Sequence, residues 1–281
     1  MSRKLELVRE EKLFRLLPGR RESGRLEASG VALVDDKTAL VVFDNLNQVA
    51  RIDLPQAPCQ QPALACAELG IRFRGHRHRP QVWPRILPDR GDGGLRRVPP
   101  RLRRRVRPRC PFPPLHPAAH RFEETNKGFE GLAHVWRGGR EYLYALCEGN
   151  LGTGRHAGGG RVDVFIRARD GGWKASHRIR LPKQAEFKDY AALAYRDQQL
   201  AIVSQASARL WVARVDEEAH ALVPGSDAVY RFPSKSYGNV EGIAWLSRDT
   251  LVAVSDRKKR GQPARCAEKD QSIHLFRIPA G

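Results

Sequence analysis

The sequence predicts an all-β chain, a β-propeller of five or six blades, and three observations carry that expectation. The first is a phrase that returns along the chain. It reads Phe129-Glu130-Gly131-Leu132-Ala133 and again Val240-Glu241-Gly242-Ile243-Ala244, with weaker copies at Ser29-Gly30-Val31-Ala32 and Tyr190-Ala191-Ala192-Leu193-Ala194. Recurrence at roughly 50 to 60 residues marks a repeat architecture. The second is the shared sequel of these copies: a polar turn, then an apolar run ending in small or acidic groups. Those ends are Phe43-Asp44-Asn45, Cys147-Glu148-Gly149-Asn150, Ser204-Gln205 and Ser255-Asp256. The third is that a complete unit holds four strand patterns, the number in a propeller blade. A two-sheet sandwich is the structural rival, but it explains neither the phrase nor its spacing.

The strand patterns are short apolar runs bounded by turn residues. The first unit has Val31–Val34, Ala39–Phe43 and Gln48–Asp53, parted by Asp35-Asp36-Lys37 and Asp44-Asn45-Leu46-Asn47. The next runs through Gly131–Val135, Glu141–Leu146, Arg161–Ile166 and Ala175–Leu181. A third has Leu193–Tyr195, Leu200–Val203, Leu210–Val215 and Ala228–Phe232. The last shows only three, Gly242–Leu246, Thr250–Val254 and Ile273–Ile278. Leu5–Val8 and Lys12–Leu16 are expected to add outer strands to that last blade and close the ring, which removes free sheet edges.

The chain divides into three regions: residues 1–71 with the N-terminal strands and first blade, an abnormal stretch at 72–121, and the remaining blades at 122–281. The abnormal stretch holds fifteen Arg, no Lys, ten Pro and two acids, and hydrophobic alternation disappears there. It carries +13 of the chain's +19, leaving +6 for everything else. The basicity is thus local, and a general nucleic-acid-binding face is not expected. A disordered basic linker and a basic arm are two readings of this stretch. A frameshifted, disordered blade is the third. One extra cytosine in CGC TTC GAG GGC ATC GCC changes Arg-Phe-Glu-Gly-Ile-Ala into Arg-Phe-Arg-Gly-His-Arg, the observed Arg72–Arg77.

No apolar run approaches the ~18 residues of a membrane span. The N-terminus turns acidic at once instead of opening a secretory signal. The five cysteines are an odd number without metal-type spacing. A cytoplasmic monomer with reduced thiols, no membrane and no nucleic-acid partner is the expectation, unless a leader precedes this start.

In a propeller the innermost strands line a channel, so a carboxylate opening several of them converges near the axis. The acidic and amide groups ending the second strands converge likewise. This nominates Glu130 and Glu241 as catalytic carboxylates, and Glu148, Asn150, Asn239, Asp256 and Asp44, with Asn45 beside it, as oxygen ligands for a hard cation such as Ca²⁺. The alternative is that Glu-Gly is a structural device whose carboxylate bonds the neighbouring blade. Gly149–Gly160 lacks the Gly-Lys-Ser/Thr ending of a phosphate-binding loop, and a flexible hairpin at the channel mouth is the better reading. Its Arg155 and His156, with Lys258, Lys259, Lys235 and Arg260 of other loops, form either a rim that attracts an anionic small-molecule ester or plain solvated surface. Cys147 has no histidine fixed beside it by sequence and reads as a core thiol.

The phrases NKGFEGLAHV (126–135), YLYALCEGN (142–150), YGNVEGIAWL (237–246) and VAVSD (252–256) resemble the bacterial phytase-like family described as having esterase-like activity. More distantly they are similar to gluconolactonase and paraoxonase propellers. The resemblance covers 122–281 well and 28–54 loosely. It implies calcium-dependent hydrolysis of a phosphate or carboxylic ester, with Glu130, Glu148, Asn150, Glu241 and Asp256 at the channel. The cation would polarise the ester and a carboxylate would activate water. A non-catalytic binding propeller and an inactive product of a frameshifted gene stand beside it, because one propeller scaffold hosts many functions.

Overall fold

The computed structural model describes residues 3–22, 24–54, 66–69, 128–147, 160–216 and 218–280, with backbone alone for 66–69. The stretch 72–121, with the frameshift reading placed on it, lies outside the described residues. Four sheets, each with an antiparallel four-stranded blade, stand among the described residues, three of those blades with their strands in chain order; the further blades of the expected five or six lie outside the described residues.

Blade I comprises β3 (Ala28–Leu33), β4 (Thr38–Phe43), β5 (Val49–Asp53) and β6 (Cys66–Leu69). Blade II comprises β7 (Phe129–Arg137), β8 (Arg140–Cys147), β9 (Arg161–Arg167) and β10 (Trp173–Arg180). Blade III comprises β11 (Ala192–Arg196), β12 (Gln199–Ser204), β13 (Arg209–Arg214) and β14 (Ala228–Arg231). Blade IV has β15 (Val240–Trp245), β16 (Thr250–Ser255) and β17 (Ser272–Arg277), and takes its fourth strand from the other end of the chain. That strand is β2 (Glu6–Lys12), antiparallel to β17. The outer strand expected from the N-terminal segment is therefore present in blade IV.

Two details differ from the sequence expectation. The first two described residues, β1 (Arg3–Lys4), lie parallel to β14, and Leu5 N–H donates to the Arg231 carbonyl at 2.9 Å. The N-terminus thus clasps blades III and IV together. Leu13–Leu16 is a single helical turn, α1, and not a strand. The chain must leave the edge of blade IV there, and the turn places Leu13 and Leu16, three residues apart, on one face. Both are buried in the core between blades I and IV.

Each interior blade is covered on both faces, which explains the continuous apolar runs of its second strand. Leu200 and Ile202 of β12 enter the core against blade II, while Ala201 and Val203 enter the core against blade IV. In β16, Leu251 and Ala253 face blade III, and Val252 and Val254 face blade I. Strict alternation between two apolar faces leaves no polar positions along the strand. Full burial of each large side chain contributes roughly 1.5–3 kcal/mol.

The innermost strands touch where the repeated phrase carries glycine. A Cβ on Gly242 would lie 2.7 Å from Gly30 Cα of blade I. One on Gly131 would lie 2.6 Å from the Leu193 nitrogen of blade III. Such separations exclude any side chain. Gly242→Ala is expected to cost about 1–3 kcal/mol through forced backbone displacement. A lowered urea midpoint at unchanged m-value checks this, and an unchanged midpoint would refute the constraint.

The closing strand is also held by a polar network. His274, fully buried, meets Ser255 Oγ through Nε2 at 2.8 Å and has Glu10 Oε2 3.4 Å from Nδ1. Tyr237 Oη donates to Glu10 Oε2 at 3.1 Å, and Lys269 pairs with Glu10 Oε1. Lys12 and Asp270 form a neighbouring pair at 3.0 Å. The contacts of His274, Lys269 and Tyr237 outweigh burial and hold the Glu10 carboxyl at about 2. Burial pushes the His274 imidazole below its usual range, so it folds neutral. Both groups bind protons less readily folded than unfolded. Their contribution is complete above about pH 6.5, and falls first as unfolded histidine protonates, then between about 4.5 and 2 as unfolded Glu10 does. Glu10→Gln should lower the neutral-pH unfolding midpoint and flatten the limb below pH 4.5. A variant with the wild-type acid limb would show that Glu10 does not set it.

Candidate functional site

The carboxylate of the repeated phrase occupies a β-bulge. In blade IV, Val240 pairs with Ser255 and Gly242 with Val254, so Glu241 is the extra residue. Glu130 is extra between Phe129–Cys147 and Gly131–Leu146 in blade II, and Ser29 between Ala28–Phe43 and Gly30–Val42 in blade I. In blade III the Ala191 N–H bonds the Val203 carbonyl while Ala192 pairs with the same residue. A bulge bends its strand and re-aims the extra side chain. The same backbone device therefore presents Ser29, Glu130, Ala191 and Glu241 at one mouth of the channel.

The pair just outside each bulge is also repeated. Asp256 N–H donates to the Asn239 carbonyl, and Asp44 N–H to the Glu27 carbonyl, each at 2.8 Å. The matching position in blade III holds Asp189, whose Oδ1 accepts from Ser204 Oγ and from the Ala206 N–H. That carboxylate is spent on its own loop.

Blade IV gathers the most functional chemistry. Lys259 Nζ lies 2.6 Å from Glu241 Oε1 and 3.5 Å from Asp256 Oδ2. Side chains of Glu241 and Asp256 are 13% and 9% exposed, whereas Lys259 is 51% exposed and reaches in from the rim. The Arg257 N–H donates to Asp256 Oδ1 at 2.5 Å. Gln205 of blade III bonds the Glu241 carboxylate. Burial raises the Glu241 carboxyl, with Lys259 and Gln205 pulling it back and Asp44 adding to the rise. Burial raises Asp256 further, to about 7, helped by the Glu241 and Glu27 charges and opposed by the Arg257 N–H and Lys259. Burial alone would lower the Lys259 ammonium, but contact with Glu241 and Asp256 raises it instead.

Of the residues nominated from sequence, the structure brings Glu241, Asp256, Asn239 and Lys259 together, with Asp44 close enough to act on Glu241. Asp44 is itself exposed, and Asn45 is occupied by Glu27 N–H and the Arg25 carbonyl. Glu130 is half-buried at its own bulge. Lys258 turns away, lining a separate cleft of about 530 Å³ with Lys12, Phe14, Glu22, Arg257 and Asp270. Glu148, Asn150, Arg155 and His156 lie outside the described residues. Cys147 donates to Asp163 Oδ2 at 3.3 Å, and its thiol is pushed up to about 12, chiefly by burial. It is a free thiol buried in the core, as the sequence reading expected.

Sequence reasoning missed Gln205 and Glu27 as site members. The signal was available, since Gln205 ends its second strand where Asp256 does, and Glu27 precedes Ala28 as Asn239 precedes Val240. Calcium was expected from oxygen ligands of this kind. Among the described residues no three His, Cys, Asp or Glu side chains are arranged to hold a metal ion, and the Lys259 ammonium lies against both carboxylates.

No protein-family model matches the sequence, and no curated protein does. Among solved structures, the chain is similar to the PQQ-bound aldose sugar dehydrogenase of Streptomyces coelicolor, at 11% identity and a TM-score of 0.43 over 98% of both chains. It is also similar to Myxococcus xanthus glutaminyl cyclase, at 10% identity and a TM-score of 0.42 over 98% of this chain and 97% of that one. At such distances neither enzyme's chemistry transfers to this chain. The propeller assignment stands on the blade topology above.

Lys259→Met should raise the Asp256 carboxyl above about 7, because burial and Glu241 then act with less opposition. Carboxyl titration by NMR reads this directly. An unchanged midpoint would show that Lys259 does not govern the pair.

Proposed function

We propose that the chain is a hydrolase of uncharged carboxylic esters, acting at the mouth of blade IV. The observation that supports this is a buried pair of carboxyl groups, both raised, sharing one ammonium: Glu241, Asp256 and Lys259. A base titrating near the working pH combines availability with driving force. Asp256, at about 7, is that base. It takes a proton from water, whose oxygen attacks the ester carbon; when the tetrahedral intermediate collapses the bond to the alcohol oxygen breaks, and Asp256 gives that proton to the departing alkoxide. The Lys259 charge stabilises the oxyanion that forms, and Glu241 keeps Lys259 charged and in place. Relative to the sequence reading, Asp256 becomes the base and Glu241 the positioning residue.

Carboxylic rather than phosphate esters are favoured by the charges nearby. Glu27, Asp44, Glu241 and Asp256 act on this spot against Lys259, and an anionic phosphoryl group would be repelled. Calcium bound by Glu241 and Asp256 would have to displace Lys259, so no step is routed through the metal. A binding-only propeller is the second reading, favoured by the low exposure of both carboxylates.

Asp256→Asn should lower turnover of p-nitrophenyl acetate by about 10²–10⁴-fold, the usual worth of a general base. The wild-type rate should rise with pH through about 7, because the base must be ionised. Full activity in the folded variant, or a rate falling between pH 6 and 8, would reject the mechanism.

A further inference from the structure

Five buried side-chain polar atoms lack a hydrogen-bond partner among the described residues, and three belong to amides beside Glu241. They are Asn239 Oδ1, Asn239 Nδ2 and Gln205 Oε1. Asn239 is 1% exposed. An unsatisfied buried amide costs about 1–3 kcal/mol, so a cluster of three such atoms calls for an explanation.

Register shows where Asn239 points. It stands opposite Asp256, whose N–H its carbonyl accepts, and directly opposed residues share a face of the sheet. Val240 enters the core against blade III. Its neighbour Asn239 therefore lies on the opposite face, with Asp256 and toward blade I, where Glu27 and Asp44 act on the cluster. Gln205 approaches Glu241 from blade III. The orphaned amides thus flank the carboxylate pair that Lys259 bridges, Asn239 beside Asp256 on the blade I side and Gln205 beside Glu241 on the blade III side.

The donor and acceptor inventory selects the ligand. An anion would meet the Glu241 and Asp256 carboxylates. An ammonium would crowd Lys259 and leave Asn239 Nδ2 without an acceptor, because it carries donors only. A hydroxyl donates and accepts. Several hydroxyls together can donate to Asn239 Oδ1, Gln205 Oε1 and the carboxylates, and accept from Asn239 Nδ2 and Lys259.

We propose that the blade IV mouth is a binding site for a neutral polyhydroxylated ligand, held by Asn239 and Gln205 beside Glu241 and Asp256. In the hydrolytic reading, on whose site it rests, this makes the alcohol portion of the ester a polyol.

The test uses the full chain, with sorbitol and xylitol as probes against butylamine and inorganic phosphate, followed by thermal unfolding and calorimetry. The expected result is a saturable rise in Tm and a binding isotherm with the polyols alone. Saturation separates site binding from the general stabilisation that polyols give by exclusion from protein surfaces. Asn239→Leu fills the position without polar atoms, so it should unfold at the wild-type temperature or above and lose at least tenfold in polyol affinity. Gln205→Met, on the other blade, should lose affinity likewise, and decides the matter if the first variant does not fold. No saturable polyol response, a response kept in the folded variants, or a response to butylamine or phosphate instead would overturn the proposal. Polyol binding without any ester turnover would remove the hydrolytic reading alone, and turnover without polyol binding would remove this one alone.

Discussion

The close approach of innermost strands at glycine is the constraint on which the rest depends. Gly242 abuts Gly30 backbone to backbone, and Gly131 abuts Leu193, at separations no Cβ would survive. Interior packing at native density leaves little slack to absorb a displacement. The distance between blades at the axis is therefore set by the absence of side chains at these points. That distance in turn decides which mouth residues meet. Gln205 reaches Glu241 across the III–IV boundary, and Asp44 acts on it across the I–IV boundary, because the strands below them touch.

The bulge next to the glycine converts that packing device into a chemical one. A regular strand would send residue 241 into a neighbouring blade, where an isolated carboxylate is costly to bury. The extra residue lifts it to the mouth, still only 13% exposed, where Lys259 can compensate it. Compensation is partial, since two carboxyl groups share one ammonium and both stay raised. Partial neutralisation is the condition under which a carboxyl titrates near neutrality instead of near 4.

The fold was legible from sequence because its signals are local and repeated. Alternation in Leu200–Val203 and Leu251–Val254, glycine at 131 and 242, and turn residues between strands each report a short-range demand. Outer strand β2 was foreseeable because the last unit shows only three strand patterns and a closed ring needs a fourth. The helical turn at Leu13–Leu16 was not, because a four-residue stretch with three apolar side chains fits a strand as well as a turn, and the exit from blade IV decided it. The blade positions of Glu241 and Asp256 followed from the repeat. Their pairing with Lys259 did not, because a lysine four residues past a strand end has no defined direction in sequence. Asn239 stood in the nominated set as a metal ligand, and the lack of a partner for its side-chain amide among the described residues is a property of packing that no pattern carries.

The unequal residues at equivalent bulges show how a symmetric scaffold supports a one-sided site. Position by position the blades offer Ser29, Glu130, Ala191 and Glu241, and just outside them Glu27, Gly128, Asp189 and Asn239. Asp189 is bound into its own loop by Ser204 and Ala206, so blade III contributes structure there and lends Gln205 to the carboxylate of its neighbour. Blade IV keeps both a raised acid, Glu241, and a side-chain amide without a partner among the described residues, Asn239, at the same two positions. The backbone geometry is common to the blades that share the bulge, so the difference in chemistry is a difference of side chains alone. Selection at a few mouth positions can then change what this chain binds without disturbing the glycine contacts that hold its blades in place.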